Sequence, residues 1–395
     1  MRERTHLKAL AAMIISTLIL SLTCGCWDNN ELDEYGFVQA LAIDRTKDNL
    51  IQLTTHFYNP SSKMEIGDGG KASQKGINIQ TSGETIFDAV RDIPIKFGRK
   101  AKWDHMRVIL LGERLTKTQN IMEVLDYFSR DQEPRGTVLP LVAKGNAGDF
   151  LKIQPFIEQT IGQQFKKMET SGAIYTAKTS NIPFYELAIQ LKSPSKTSAI
   201  PVIHKINDQR DAEVSGVAFI KDGNLVHIIG EMDTEAYMML TNKYVNGILD
   251  FPCIGNSKGY VQNKETLEVL SFYSKVTPKV EGNNVTVDVK LEIKGTVGEL
   301  RCSLLTTKKD IERFENAINE RVKQQVQHAV ATFKQQKLDA IGIGNQIYRR
   351  NPKLWKRLEP SWDTHLAQSQ FQITVDTEVL STGMNVGTPF GKKEK

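Results

Sequence analysis

Val285-Thr286-Val287-Asp288-Val289-Lys290-Leu291-Glu292-Ile293-Lys294 decides the fold class of the last third of this chain. Apolar and polar residues alternate without a break, the period-two pattern of a strand with one dry and one wet face. Leu267–Phe272 marks a strand before it. Phe371, Ile373, Val375 and Val379, alternating with Gln372, Thr374, Asp376 and Glu378, mark one after it. Between them a long helix is predicted from Thr307, with Asp310 at N3 and a stripe of Ile311, Phe314, Ile318, Val322, Val326, Val330 and Phe333. A shorter helix follows near 338–349. One wet sheet face with helices on the other is an α+β architecture.

Upstream, Tyr35–Asp44 is apolar on both faces, as in a buried strand, and turns through Thr46–Asn49 into the half-wet strand Ile51–Tyr58. Asn59–Gly76, rich in Gly, Ser and Pro, reads as a loop. Thr81-Ser82-Gly83-Glu84 has capping-box spacing ahead of a helix marked by Ile86, Val90 and Ile93, which Pro94 should stop. Met106–Gly112 is a strand, and a helix with Ile121, Leu125 and Phe128 follows. Gly136–Ala143 is a strand in which Pro140 favours a sheet edge. Helical pieces near 146–167 and 183–192 complete this block. Ser193–Ser198 is polar and Pro/Ser-rich, as a linker is. Beyond it Val214–Ile220 and Leu225–Ile229 flank Lys221-Asp222-Gly223-Asn224, a hairpin signal, with a helix at about 231–241. The expectation is therefore a multi-domain α+β protein of two to three domains, with mixed or antiparallel sheets and helices packed on one face. Residues 26–200 form an N-terminal α+β domain, 201–262 a small middle hairpin-helix domain, and 263–395 a C-terminal domain with the long helix.

The N-terminus reads as an address. Met1–Lys8 is basic, and Ala9–Leu22 is an uncharged run that spans about 21 Å as a helix, short of the roughly 30 Å bilayer core. That is the pattern of an export signal, here residues 1–25. It ends in Leu22-Thr23-Cys24-Gly25-Cys26, which resembles a lipobox: cleavage before a cysteine whose thiol carries diacylglycerol. Gly25 makes Cys26 the better lipidation site, since Cys24 follows the less suitable Thr23. Cys253 and Cys302 then remain, read as two unpaired buried thiols because their spacing carries no sign of proximity.

Charge and chemistry exclude more than they suggest. Lys and Arg number 51 against 46 Asp and Glu, and two units of the +5 sit in the first 25 residues. An excess of +3 over the body is too small to point to nucleic acid. None of His6, His56, His105, His204, His227, His328 and His365 has metal-ligand spacing, and no CxxC occurs, so no metal or cofactor is expected. Asp104-His105 reads as a surface or packing pair. Ser193–Lys196 matches SxxK formally, but that nucleophile needs a helix where this sequence places a linker. Gly342-Ile343-Gly344 lacks the third glycine of a dinucleotide loop. Arg130-Asp131-Gln132-Glu133-Pro134-Arg135 reads as a local salt-bridge cluster or a partner-recognition site. No catalytic centre emerges.

Several stretches in order resemble one family: Cys26-Trp27-Asp28 with Glu31-Leu32 and Ala42-Ile43-Asp44, then Gly83–Ala89, His105 with Ile109–Glu113, Phe128–Asp131, Val217-Ala218-Phe219, and Leu338–Gly342 with Pro352 and Trp355. Together, from Cys26 to about Gly383, they are similar to the Ger(x)C spore-germination lipoproteins. Asn29-Asn30 departs from the basic residues often found there. The resemblance implies the C subunit of a nutrient germinant receptor, anchored on the outer face of the spore inner membrane with an A and a B membrane subunit, a multi-domain α+β fold, and no enzyme activity. Two other classes compete with this reading. A solute-binding lipoprotein needs two similar lobes, and the block order differs between the halves. A cell-wall hydrolase needs a catalytic constellation.

Overall fold

The computed structural model describes residues 2–22, 31–60, 76–206, 211–253, 264–384 and 389. The basic start and the apolar run form one helix, α1 (Arg2–Leu22), and no described helix is long and apolar enough to cross a membrane. The body opens on β1 (Tyr35–Arg45). Leu41 and Ile43 enter one core while Ala40 and Ala42 enter another, so β1 is dry on both faces as its apolar run predicts. It pairs antiparallel with β2 (Ile51–Tyr58), Ile43 opposite Leu53, and β3 (Gly76–Gly83) pairs with β2 beyond it. Most of the Asn59–Gly76 loop lies outside the described residues.

Thr81 belongs to β3, so the expected cap moves. Helix α2 (Ile86–Arg91) is capped by Thr85, whose hydroxyl accepts the Asp88 N–H at 3.1 Å. Pro94 does not end the helical stretch but sits in the first turn of α3 (Ile93–Phe97), where a missing N–H costs nothing. After β4 (Lys100–Lys102), parallel to the start of β1, come β5 (Val108–Gly112), α4 (Glu113–Thr118), α5 (Ile121–Arg130) and β6 (Leu139–Ala143).

Pro140 is not on an edge strand, because β6 lies between β5 and the following strand. Leu139 donates to the Arg107 carbonyl on the β5 side, so Pro140 nitrogen faces the other neighbour, which pairs with β6 only from Val142 onward. The missing donor falls where no ladder bond is made. Helix α6 (Ile161–Tyr175) starts at a Thr160–Gln163 capping box and buries Ile161 and Phe165 on the second face of this sheet. Helix α7 (Phe184–Leu191) lies on the first.

The expected linker is a turn. Ser193–Lys196 leads directly into β7 (Thr197–Ile206), which pairs with β6 on one side and with β8 (Asp211–Lys221) on the other; β9 (Asn224–Ile229) closes the sheet. Its order is β3-β2-β1-β5-β6-β7-β8-β9, with β4 beside β1. The Asp222-Gly223 turn forms as predicted, with φ of 50° and 84°. The 201–262 segment does not stand apart: its hairpin extends the first sheet, and only its last strand leaves it.

Helix α8 (Glu231–Leu240) leads to that strand, β10 (Gly247–Pro252), which opens a second sheet of order β10-β11-β12-β13, with β11 (Lys264–Glu281), β12 (Asn284–Glu299) and β13 (Gln370–Ser381). Val285, Val287, Val289, Leu291 and Ile293 of β12 are buried, as the alternation requires, and the other face is wet. Over the dry face runs α9 (Lys308–Gln335), capped by Thr307 and Asp310, with Phe314, Ile318, Val322, Val326 and Phe333 buried. Then α10 (Ile343–Arg350), α11 (Pro352–Leu358) and α12 (Trp362–Gln368) complete the crossover to β13, parallel to β12. The two sheets share a core: Phe219 of β8 meets Tyr237 of α8 and Phe333 of α9 edge-on, each at 5.4 Å. The result is a multi-domain α+β fold.

Phe251 of β10 and Phe314 of α9 stand edge to face at 4.9 Å, both almost wholly buried. Phe314→Ala should therefore lower unfolding free energy by about 3–5 kcal/mol in urea titrations, while the exposed Lys290→Gln stays within about 0.5 kcal/mol.

Candidate functional site

The segment Leu338–Gly344 turns the chain from α9 into α10, and each polar or small residue in it has a structural task. Asp339 is buried, and its carboxylate oxygens accept the N–H groups of Ile343 and Gly344, both at 2.7 Å, which would otherwise be orphans of the helix start. Burial pushes this carboxyl up to about 6, against the pull of its backbone donors. Gly344 cannot carry a side chain: a Cβ there would lie 2.6 Å from the Trp355 ring. Trp355 in turn meets Trp362 edge-on at 5.1 Å. Asn351 caps α11 by accepting the Leu354 N–H at 3.1 Å, with Pro352 in the first turn.

Where α10 approaches α7 and the start of β7, a groove of about 920 Å³ opens, with Ile189, Lys192, Lys243, Ile341 and Arg349 among its walls. Polar ties hold the surrounding elements together. The Ser195 N–H donates to Asn345 Oδ1 at 2.9 Å, and Lys221 Nζ reaches both Asp363 oxygens at 2.7 and 2.8 Å and the Lys337 carbonyl at 3.0 Å. Glu186 pairs with Lys243 at 2.5 Å. The groove thus offers an apolar wall and cations.

Ser193 lies at its rim, donating to the Gln190 carbonyl at 2.7 Å. Lys196, at φ 48°, points toward Asp222 at 3.5 Å. The two do not share a helix turn, so the SxxK spacing does not make a nucleophile and base. Asp104 and His105 are not on a strand but in an exposed turn, where they bond each other at 2.6 Å, and His105 packs edge-on against Phe37. The charges of 130–135 pair outward rather than with one another: Arg130 with Asp126 at 2.6 Å, Glu133 with Lys102 at 2.9 Å. His56 is buried against Asn78 at 2.7 Å and its pKa is lowered by that burial. His328 bonds Asp233 at 2.8 Å and His365 lies 3.1 Å from Ser361. Cys24 and Cys26 lie outside the described residues.

The cysteine expectation is corrected. Cys253 and Cys302 form a disulfide, with Cα atoms 5.7 Å apart. The ladder β10-β11-β12 brings them together, and residue spacing carries no trace of that register. Beside them Glu265 is buried. One of its oxygens accepts the N–H groups of Arg301, Cys302 and Ser303 at 3.1, 2.9 and 2.7 Å, and the other accepts the Ser303 hydroxyl at 2.6 Å. Cys253, Glu265 and Cys302 are the one group of three metal-capable side chains among the described residues. Two sulfurs joined to each other and a carboxylate occupied by backbone donors hold chain, not an ion.

Comparison with known proteins follows the same segments. Residues 28–205 match the family model described as spore germination protein N-terminal domain, and residues 215–383 match spore germination B3/GerAC like, C-terminal. The chain belongs to the Ger(x)C spore germination family. It is 24% identical over 393 residues to spore germination protein KC of Bacillus subtilis (strain 168), covering 94% of this chain and 95% of that one. It is 25% identical to spore germination protein B3 of the same organism over 383 residues, covering 95% and 99%. The crystal structure of the GerBC protein shares the fold, with a TM-score of 0.54 and 22% identity over 89% of this chain and 100% of that one. Within this Ger(x)C chain the family stretch Leu338–Gly342 with Pro352 and Trp355 is the α9–α11 corner just described. The groove beside it and the Glu265 latch carried no sequence signal beyond that stretch.

Two outcomes follow from these contacts. Cys302→Ser opens a link across 49 residues and should cost about 2–4 kcal/mol of stability, and added reductant should not destabilise that variant further. Asp339, raised from 3.8 to about 6, binds its proton more tightly in the folded chain. Its contribution is full below about pH 4 and is lost as pH rises through about 6. The stability of the wild type relative to Asp339→Asn, read from urea midpoints, should fall over that window and then level off.

Proposed function

We propose that this chain is the lipid-anchored C subunit of a spore nutrient germinant receptor, tethered through Cys26 and acting by assembly with A and B membrane subunits rather than by bond-making chemistry. The observation that carries this reading is the match to both family domains in order, 28–205 and 215–383, starting directly behind the lipobox-like Leu22–Cys26. Two further features support it. The Cys253–Cys302 disulfide suits an oxidising, extracytoplasmic setting. Several polar groups of the groove hold its walls, as in the Glu186–Lys243 pair and the bond from the Ser195 N–H to Asn345, and Ser193 and Lys196 form no nucleophile–base pair.

A diacyl group supplies two chains, enough for stable attachment where one is marginal. Cys26 precedes β1, so its loss should change location before fold. In spores carrying Cys26→Ala the protein should be depleted from membranes and from A and B subunits recovered by pull-down, and the nutrient response should fall. Cys24→Ala should behave as wild type. Mass spectrometry of the mature N-terminus is the direct check: an acylated peptide starting at Cys24 would move the anchor, and an unmodified N-terminus would remove it.

A further inference from the structure

The modest net charge of the body hides one strong concentration. Arg349, Arg350, Lys353, Lys356 and Arg357 fall on α10 and α11 with no acidic residue between them, and all five are exposed. The fold does not need their charge, since Ile343, Gly344, Ile347, Trp355 and Leu358 supply the buried faces of these helices. Several cations on the second sheet are matched instead. On the wet face of the second sheet Lys279, Lys290 and Lys294 each lie 2.6 Å from a carboxylate, of Asp288, Glu292 and Glu378. Among the described residues none of the five helix cations pairs with a carboxylate. Arg350 and Arg357 instead donate to the carbonyls of Pro278 and Gly282 at 3.4 and 3.0 Å, which seats them against the β11–β12 hairpin. Tyr348, exposed beside them, adds an amphipathic ring.

The position of this patch selects its partner. The parallel strands share a register: Ala40 opposite Val108, Val108 opposite Leu139, Val142 opposite Val202. Carried back along the strands, it sets Ser195 at the level of Gly36. Ser195 is the residue bonded to Asn345, one helical turn before Arg349. The basic helices therefore sit at the end of the sheet where the chain enters, three strand spacings or about 14 Å across from β1. A second basic group marks the same end: Lys100 lies opposite Tyr35 at the start of β4, beside exposed Arg99 and Lys96 and an Ile95 that is 83% exposed. We infer that α10 and α11 form a docking surface for anionic lipid headgroups, which orients the body on the bilayer. The inference uses the proposed N-terminal tether to place the bilayer at this end, but its test does not use the tether.

A chain of residues 31–395 keeps every residue of both cores, so it serves without signal or acyl group. It should sediment with phosphatidylglycerol vesicles at low salt, be released at high salt, and ignore phosphatidylcholine vesicles. Lys353→Gln with Lys356→Gln should lower partitioning about 25-fold, at roughly fivefold per cation. The control pair Lys290→Gln with Lys294→Gln should leave it unchanged, with thermal midpoints equal in all three. Equal losses in both pairs, or none in the first, would overturn the inference. So would a chain that ignores phosphatidylglycerol but is retained by an acidic extracellular segment of another membrane protein. Because no acyl group is present, these outcomes are independent of where, or whether, the N-terminus is lipidated.

Discussion

The pairing of β7 with β8 holds the molecule together. Ala199 lies opposite Phe219 and Ile203 opposite Val214, joining strands on either side of the division between the two family domains. The ladder between β7 and β8 crosses that division and ties the two domains together. Phe219 then carries the connection sideways, being buried among residues of β8, α8 and α9 at once. Large apolar side chains shared between units make their relative placement part of the core packing instead of a hinge. The Lys221–Asp363 and Ser195–Asn345 contacts lie at the margin of that shared core.

Three buried carboxylates do the same kind of work in different places. Asp44, at the end of β1, accepts the N–H groups of Ala147 and Gly148, both at 2.8 Å; Glu265 gathers the 301–303 backbone; Asp339 caps α10. In each, a charge-assisted bond to backbone compensates the desolvation that pushes Asp44 and Asp339 upward. Perturbed carboxyls of this kind resemble acid–base residues when viewed singly. Their partners show that they fix irregular backbone at the ends of strands and helices. Glu169 differs: it is fully buried, accepts one long bond from the Ile182 N–H at 3.4 Å, and is pushed well above the usual carboxylate range by that burial.

The parts legible from sequence were those in which local pattern and burial coincide. Alternation in β12 and β13, the stripe and cap of α9, the two dry faces of β1 and the Asp222-Gly223 turn each follow from periodicity or backbone preference within a few residues. Ser193–Ser198 misled because Ser and Pro serve a turn leading into a strand as well as a linker, and only the strands on either side of β7 distinguish the two. Pro140 misled because its tolerance depends on how far β7 extends, a property of another segment. Cys253 and Cys302 meet through the register of three strands. Gly344 and Trp355 lie on consecutive helices, so the steric reason for the glycine is visible only after α10 and α11 have folded back on each other. In the candidate site, the residues of the corner were legible as a family resemblance, while their tasks were not.

The parallel pairing of β12 and β13 has a consequence for the order in which this chain comes together. β13 follows α9, α10, α11 and α12, so during synthesis the far edge of β12 waits unpaired until all four helices have been made. Helices satisfy their own backbone early and locally, whereas this last ladder closes across a long stretch of chain. For that interval the nascent protein presents a long, regularly alternating edge, a template for intermolecular strand addition. A ribosome that stops before Gln370 leaves that edge open for good.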